Sequence, residues 1–355
     1  MLVEDHMDWQ LEFWNGFFDQ FARENPDIEL NVRYDHGNSA AWPPRFDVVI
    51  GSFRFLAASG VGNSRLSHRM AAEFFPDFDE NVWLKTGEFS EGIFPVGVIS
   101  SYLLCAPGTP VPRPRETMLD YVERATSPGE GAVLMRLNTE LFQNSGIDVL
   151  NRARRPFDEA EKVRIRRLFD RSGRLYREGR LLWEHGFFSD PAQLDDRPDR
   201  RRIAAMEWRS NYPAFRSPEQ YPVRTPYPHG ERAMVVPVLA VIDDRTCFPE
   251  EPLRLVRKLR SLEVQRAANR ARVFEPIRID AMPEDSGLAG YWERGEVEFK
   301  RDFDLVEIGL NDCLLGWELL YNLTGGRDGD PVEMLDRKVR YYYRNADKYP
   351  EFIHL

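Results

Sequence analysis

The sequence contains few of the residues that bind metals, with three cysteines and six histidines among 355 residues. Cys105, Cys247 and Cys313 lie far apart, match no metal-binding spacing and can form one disulfide at most. The histidines show neither the His-x3-His nor the His-Glu-x-x-His spacing. The nearest approach to a calcium loop, residues 77–88, has Val82 where the turn needs glycine. We therefore expect neither a metal site nor a cofactor.

The sequence also lacks long apolar runs, a positive net charge and the common catalytic motifs. No stretch reaches the roughly 18 consecutive apolar residues of a membrane-spanning helix, so we expect no transmembrane segment. The net charge of −10 argues against direct contact with nucleic acid, because phosphates are bound by clustered cations. Nucleophile-elbow, phosphate-loop and dinucleotide-binding motifs are missing. We therefore predict that the protein is not an enzyme and has no catalytic residues.

The chain does have an ordinary globular composition and a length that suits two domains. Hydrophobic residues make up 42% and charged residues 30%, which excludes wholesale disorder. A single hydrophobic core stops growing near about 250–300 residues, so this length predicts two lobes. Aromatic residues are abundant, at 12%, and their positions therefore bear on function.

Strand and helix patterns alternate along the N-terminal third. Leu2 and Val3 fit the end of a strand, and Asp8 begins a stretch whose apolar residues recur near the 3.6-residue period of a helix. Residues 28–34 alternate like a strand, and residues 46–50 form a short apolar strand. This order predicts a parallel sheet with crossover helices, and hence an α/β fold.

Further strands and helices follow in the remaining two thirds. The predicted strands cover 94–105, 203–208 and 234–242, and the predicted helices cover 158–182, 249–262, 305–323 and 331–344. Thr117 is expected to cap another helix, and Asp158 with Glu161 forms a capping box. The proline-rich segment 106–114 is interpreted as a stiff connection that crosses between the lobes.

Several aromatic residues follow the ends of predicted strands. They are Trp9, Trp42, Phe53, Trp208 and Tyr212, and Trp292 lies in a predicted loop. In open α/β sheets, ligands bind beyond the carboxyl ends of the strands, and flat rings there can stack on a sugar ring. Core packing explains any single ring of this kind more often than ligand binding does. The pattern therefore indicates a binding site only when the rings are taken together.

Several segments also resemble, in the correct order, those of the bacterial extracellular solute-binding proteins, the large family that includes the maltose-binding protein. Residues 17–28 (FFDQFARENPDI) resemble that family's first helix and its entry into the second strand, and residues 45–49 (RFDVV) resemble its third strand. The other similar segments are 114–121 (PRETMLDY), 202–206 (RIAAM), 252–268 and 310–343. The resemblance touches most of the chain.

The resemblance implies a two-lobe, periplasmic-binding-protein-like (type II) α/β fold with a hinge and an interlobe ligand cleft. Lobe one would comprise residues 1–107 and 235–282, and lobe two residues 112–232 and 285–355. The chain would cross between the lobes near 106–115, 232–236 and 280–286.

The resemblance also implies non-enzymatic binding of a small solute, in the first place a sugar or oligosaccharide, for uptake by an ABC transporter. The cleft residues that we predict are Glu4, Asp5, Trp9, Trp42, Ser52, Phe53 and Phe94 from lobe one, and Trp208, Arg209, Tyr212 and Trp292 from lobe two. The rings would stack on the ligand, while the charged side chains would hydrogen-bond with it. The partners would be a carbohydrate ligand and the permease subunits.

Two other functions stay open at this point. The export leader of the family is absent and the chain begins inside the first strand, so we expect that a preceding segment has been removed. A removed leader would place the protein outside the cytoplasm. A removed DNA-binding domain would instead make the chain the effector-sensing domain of a cytosolic transcription regulator. The third hypothesis is an enzyme on the same two-lobe scaffold, in which Glu4, Asp5 and Asp8 act as acid and base.

Overall fold

The strands of the protein form two separate sheets. The structure is a computed structural model, and it describes residues 1–4, 8–35, 46–51, 93–136, 157–184, 203–211, 221–243, 246–248, 250–283, 286–299 and 330–344. Each sheet is covered by its own helices and has its own hydrophobic core. This arrangement confirms the prediction of an α/β protein with two lobes.

The first sheet contains the N-terminal strands. Its members are β1 (Leu2–Glu4), β2 (Arg33–Asp35), β3 (Val48–Gly51), β4 (Ile93–Ile99), β10 (Ala233–Ile242) and β11 (Val297–Phe299). The strand order is β11-β10-β3-β1-β2, and β4 also pairs with β10. β1 runs parallel to β2 and β3, whereas β10 runs antiparallel to both β3 and β4. β1, β2, β3 and β4 therefore all point in the same direction.

The second sheet contains the middle of the chain. Its members are β5 (Ser101–Cys105), β6 (Ala132–Arg136), β7 (Leu181–Glu184), β8 (Ile203–Arg209) and β9 (Val223–Pro226). The strand order is β7-β6-β8-β5-β9. β6 runs parallel to β7 and β8, and β5 runs antiparallel to β8 and β9.

The helices begin where the sequence supplies caps. They are α1 (Asp8–Glu24), α2 (Met118–Ala125), α3 (Glu159–Arg177), α4 (Glu250–Leu259), α5 (Leu262–Arg270), α6 (Ala289–Glu293) and α7 (Pro331–Arg344). Thr117 caps α2, and the predicted capping box of Asp158 and Glu161 is present at α3. Ser261 accepts a hydrogen bond from the Val264 N–H and so starts α5. The predicted helix through Leu262 is therefore two helices.

The core of lobe one contains several of the aromatic side chains. Trp14, Phe17, Phe18 and Phe21 lie on the inward face of α1 and are buried against the first sheet, α4 and α5. The rings of Trp14 and Phe18 stack with their centroids 5.7 Å apart. Aromatic residues at helical spacing thus account for packing in this lobe, and not for ligand binding.

The predicted strand over 28–34 is mostly wrong, because only Arg33 and Tyr34 of that stretch belong to β2. Ile28, Leu30 and Val32 do alternate with exposed residues, and they pack as half-buried side chains against the core of lobe one. The preceding turn is closed by a hydrogen bond from the Ile28 N–H to the Asn25 carbonyl. A surface segment that is buried on one side shows the same alternation of apolar residues as a strand, although it pairs with no sheet.

The first crossing between the lobes also differs from our expectation of 106–115. β4 belongs to the first sheet and β5 to the second, and Ser100 alone separates them. The proline-rich segment already lies on the second lobe, where the Ala106 N–H donates to the Ala204 carbonyl at 2.8 Å. β11, which we placed in lobe two, pairs with β10 of the first sheet. The other lobe boundaries stay predictions, as does the helix over 305–323, which lies outside the described residues.

Candidate interlobe binding site

The carboxyl ends of the parallel strands in the two sheets face each other across the first crossing. β4 leads directly through Ser100 into β5. Since β1, β2 and β3 point in the same direction as β4, their last residues, Glu4, Asp35 and Gly51, lie at the edge of lobe one that faces lobe two.

Lobe two presents the equivalent edge. β8 returns antiparallel to β5, and its last residue, Arg209, pairs with Ser101 beside the crossing. β6 and β7 run parallel to β8, so their carboxyl ends point toward the same edge. In open α/β sheets this is the edge at which ligands bind. The candidate site is therefore the cleft between these two edges.

The crossing is a buried joint that is held by several hydrogen bonds. The Ser210 N–H donates to the Ser100 carbonyl at 2.9 Å, and the Ser100 N–H donates to Ser210 Oγ at 3.0 Å. The Ser100 hydroxyl donates to Glu275 Oε2 at 2.6 Å. Because these groups come from both lobes, the joint holds the inner end of the cleft in a fixed geometry.

An ion pair joins the lobes beside this joint. Glu275 belongs to lobe one, where its N–H and carbonyl exchange hydrogen bonds with Val98. Its Oε1 lies 3.2 Å from Nη2 of Arg224, which is on β9 of lobe two. The Arg224 guanidinium in turn lies over the Tyr102 ring, 4.0 Å from the centroid. Burial raises the pKa of Tyr102, so this phenol stays neutral beside the ion pair.

The Gln10 side chain of lobe one contacts the backbone of Asn211 in lobe two at the inner end of the cleft. Gln10, in the first turns of α1, is 2% exposed, and its Nε2 donates to the Asn211 carbonyl at 3.5 Å. Asn211 directly follows Ser210 and is 6% exposed. Its side-chain Oδ1 is buried and accepts no hydrogen bond from the described part of the chain. We call Gln10 and Asn211 the cleft floor, since they come from opposite lobes and lie next to the joint.

A second set of contacts joins the lobes farther along. The Tyr291 hydroxyl of α6 donates to the Gly230 carbonyl at 3.0 Å, within the segment that leads from β9 back to β10. Arg115 of the second lobe pairs with Glu296, just before β11, at 3.0 Å. These two contacts form a second connection between the lobes, besides the joint at Ser100.

Three of the predicted cleft aromatics are core residues in this structure. Phe94 packs in the main core of lobe one, Trp208 in a core on one face of the second sheet, and Trp292 in a third cluster with Val98 and Leu288. Trp208 is only 2% exposed. The structure also places Trp292 in α6 and not in a loop.

The other predicted site residues are described only in part. Glu4 is the last residue of β1, Trp9 lies in the first turn of α1, and Arg209 is the half-buried last residue of β8. Glu4 and Arg209 lie at the strand edges that border the cleft, and Trp9 lies at the start of the helix that follows β1. Asp5, Trp42, Ser52, Phe53 and Tyr212 lie outside the described residues, as do the side chains of Glu4 and Trp9.

Sequence reasoning missed the polar groups of the joint and the floor. Asn211 stands between Arg209 and Tyr212, which were both selected, so its position could have been found from the end of β8. Glu275 gave no signal, because it lies in an irregular stretch that follows α5. Its role depends on pairing across the lobes, which local sequence patterns do not encode.

The described residues hold no cluster typical of a metal site and no membrane-spanning helix. Among them, no group of three or more His, Cys, Asp or Glu side chains is placed to hold a metal ion. No helix in the same part of the chain is long and apolar enough to cross a membrane.

The amino-acid sequence matches no family model and no curated protein, but the fold matches solved structures over the whole chain. The sugar-binding protein MalE from Xanthomonas citri is 14% identical, with a TM-score of 0.67 and 98% of each chain covered. The GacH receptor of Streptomyces glaucescens, solved unliganded and with acarbose, is 12% identical, with a TM-score of 0.63, covering 100% of this chain and 99% of that one.

A third similar structure contains a bound sugar. The maltose/maltodextrin-binding domain MalE from Bdellovibrio bacteriovorus, bound to maltotriose, is 12% identical, with a TM-score of 0.60, covering 98% of this chain and 99% of that one. Identities this low establish a common fold and not a common ligand. The chain therefore has the two-lobe α/β fold of the MalE-type periplasmic binding proteins, as the sequence predicted.

Proposed function

We propose that the protein is a non-enzymatic binding protein that captures a sugar or oligosaccharide in the interlobe cleft. The observation that carries this proposal is the convergence of the strand carboxyl ends of both lobes on one cleft, in a chain that matches sugar-binding proteins over its whole length. In such a fold the ligand bridges the two lobes, and its binding energy stabilises the closed arrangement.

The chemistry of the cleft favours a neutral, hydroxyl-rich ligand. The described polar groups that border the cleft floor are amides and serine hydroxyls, and the carboxylate of Glu275 is engaged by Arg224 and Ser100. The predicted aromatics Trp9, Trp42, Phe53 and Tyr212 would supply stacking surfaces for sugar rings. Arg209 would provide a directional donor for a sugar oxygen.

Delivery of the ligand to the permease subunits of an ABC transporter, outside the cytoplasm, is part of this proposal. It is supported by the similar structures, which include an ABC substrate-binding protein of Listeria monocytogenes in complex with cycloalternan. Reconstitution with the permease encoded nearest to this chain would test it. Sugar-dependent stimulation of ATP hydrolysis is expected, and its absence with a ligand-loaded protein would argue against delivery.

The binding function is tested with a panel of maltose, maltotriose, acarbose and a cyclic oligosaccharide, with succinate and leucine as controls. We expect at least one saccharide to raise the melting temperature, since a ligand that binds only the folded state stabilises it. Small-angle scattering should show a smaller radius of gyration with that saccharide. Chromatography of the recovered ligand should show no turnover. A shift with succinate or leucine alone, or turnover of the saccharide, would contradict the proposal.

A further inference from the structure

The side chain of Asn211 has an unusual environment for a buried amide. Asn211 is 6% exposed, and its Oδ1 is buried without accepting a hydrogen bond from any group that the structure describes. Most buried side-chain polar atoms have a partner, because an unsatisfied acceptor loses its hydration without compensation. An exception of this kind in a native structure calls for a reason.

The neighbouring groups make the exception sharper. Ser210, one residue earlier, uses both its N–H and its hydroxyl oxygen in hydrogen bonds with Ser100. Glu275 accepts from Ser100 through one oxygen and pairs with Arg224 through the other. Ser100, Ser210 and Glu275 thus have hydrogen-bond partners within the protein. The neighbouring acceptor, Asn211 Oδ1, has none among the described residues.

The position of this acceptor distinguishes it from the comparable atoms elsewhere. Trp14 Nε1 and Ser172 Oγ are also buried without a hydrogen-bond partner, but Trp14 is packed among the rings of Phe13, Phe18 and Phe274, and Ser172 lies on α3. Asn211 follows the carboxyl end of β8, and its backbone carbonyl accepts from Gln10 of the opposite lobe. Of these three residues, Asn211 is the one whose described contacts reach the opposite lobe.

We propose that Asn211 Oδ1 is a ligand-binding acceptor, which takes a hydrogen bond from a hydroxyl group of the sugar at the cleft floor. The inference rests on the proposed function and assigns a residue and an atom to it. A carboxylate or phosphate ligand would offer no donor to this oxygen. A cationic ligand would have to lose its hydration beside a neutral amide, without a compensating charge. A neutral hydroxyl donor fits the atom best.

Gln10 supports this role from the other lobe. Its Nε2 contacts the backbone carbonyl of Asn211, so the side chain of Asn211 is left available for the ligand. Because the contact ties the start of α1 to the end of β8, a ligand at the floor lies against both lobes at once. Occupation of the floor would therefore be linked to the relative position of the lobes.

The test replaces Asn211 with leucine, which has a similar shape and no polar side-chain atom. We expect the affinity for the tightest-binding saccharide of the panel (maltose, maltotriose or acarbose) to fall about tenfold, as for the loss of one buried hydrogen bond. The melting temperature of the unliganded protein should stay unchanged or rise, because an unsatisfied buried acceptor has been removed. A residue with only a structural role would show the opposite pattern.

Ser172→Ala is the matched control, since it also removes a buried polar atom without a partner. Ser172 lies on α3 inside lobe two, whereas Asn211 contacts the opposite lobe. It should leave saccharide affinity unchanged. The inference is overturned if Asn211→Leu binds the saccharide as tightly as the wild type, or if it lowers the unliganded melting temperature by several degrees. If the wild type itself binds no saccharide of the panel, the proposed function fails, and the unliganded melting temperature still decides whether Asn211 is a structural residue.

Discussion

Gly97 is a position at which any side chain would conflict with the core. It lies in β4, and a Cβ atom built on it would overlap the ring of Phe274. Phe274 is 1% exposed and cannot move aside without disturbing the core of lobe one. We expect Gly97→Ala to lower the free energy of unfolding by about 1–3 kcal/mol, as overpacked cores do. Urea denaturation monitored by circular dichroism measures this.

Gly16→Ala is the control for that substitution. Gly16 lies in the interior of α1, and a Cβ atom added to it would have no neighbouring atom within 4 Å. Because alanine favours the helix over glycine, this change should raise the free energy of unfolding by about 0.5–1 kcal/mol. Equal effects of the two substitutions would show that Phe274 does not determine the requirement for glycine at 97.

At the residue scale, sequence reasoning found the cleft edges better than the individual contacts. Glu4 and Arg209 were selected as neighbours of strand ends, and they are the last residues of β1 and β8. Trp208 was selected by the same rule, yet its ring is packed in a core. Adjacent residues of a strand point to opposite faces of the sheet. When both faces carry aromatic residues, the sequence alone does not show which face packs against a core.

An ion pair joins α2 to α3, and we expect its contribution to stability to depend on pH. Nε and Nη2 of Arg171 on α3 donate to the two carboxylate oxygens of Glu123 on α2, at 2.8 and 2.7 Å. These hydrogen bonds hold the pKa of Glu123 below its ordinary value of 4.5. A carboxylate whose pKa is lower in the folded than in the unfolded state stabilises the protein at pH values above its unfolded pKa. This contribution is lost as the pH falls from the unfolded pKa through the folded pKa.

We therefore expect Glu123→Gln to lower the free energy of unfolding by about 0.5–1 kcal/mol at pH 7, a modest amount because the pair is partly exposed to solvent. The difference from the wild type should shrink as the pH is lowered below about 4.5. Urea denaturation at several pH values measures both. Glu130→Gln is the control, since Glu130 is exposed on the turn before β6. A difference for Glu123→Gln that does not vary with pH would contradict the assignment.

At the element scale, prediction succeeded where a local signal exists. The capping box at Asp158 gave the start of α3, and the apolar period gave α1, because both depend on neighbours within one or two helical turns. The break between α4 and α5 was missed, although Ser261 is a good N-cap residue, because leucines continue on both sides of it. The strand predicted over 28–34 was mostly wrong, because a segment can be buried on one side without pairing with a sheet.

For the whole molecule, the sequence predicted two lobes and their order but misplaced the crossing. Prolines marked a stiff segment at 106–114, whereas the chain changes sheets at Ser100. β4 and β5 together read as one continuous apolar run, so nothing local separates them. Which sheet a strand joins is decided by distant partners: β10 for β4, and β8 for β5.

Glu275 is the common partner of Ser100 at the crossing and of Arg224 in lobe two. Glu275→Ala would leave the Ser100 hydroxyl and the guanidinium without this partner, so we expect the free energy of unfolding to fall by about 2–3 kcal/mol. Asp27→Ala, which breaks the exposed pair with Arg254 inside lobe one, should lower the free energy of unfolding much less, because solvent screens that pair. Urea denaturation compares them, and equal losses would mean that Glu275 contributes no more than a surface ion pair.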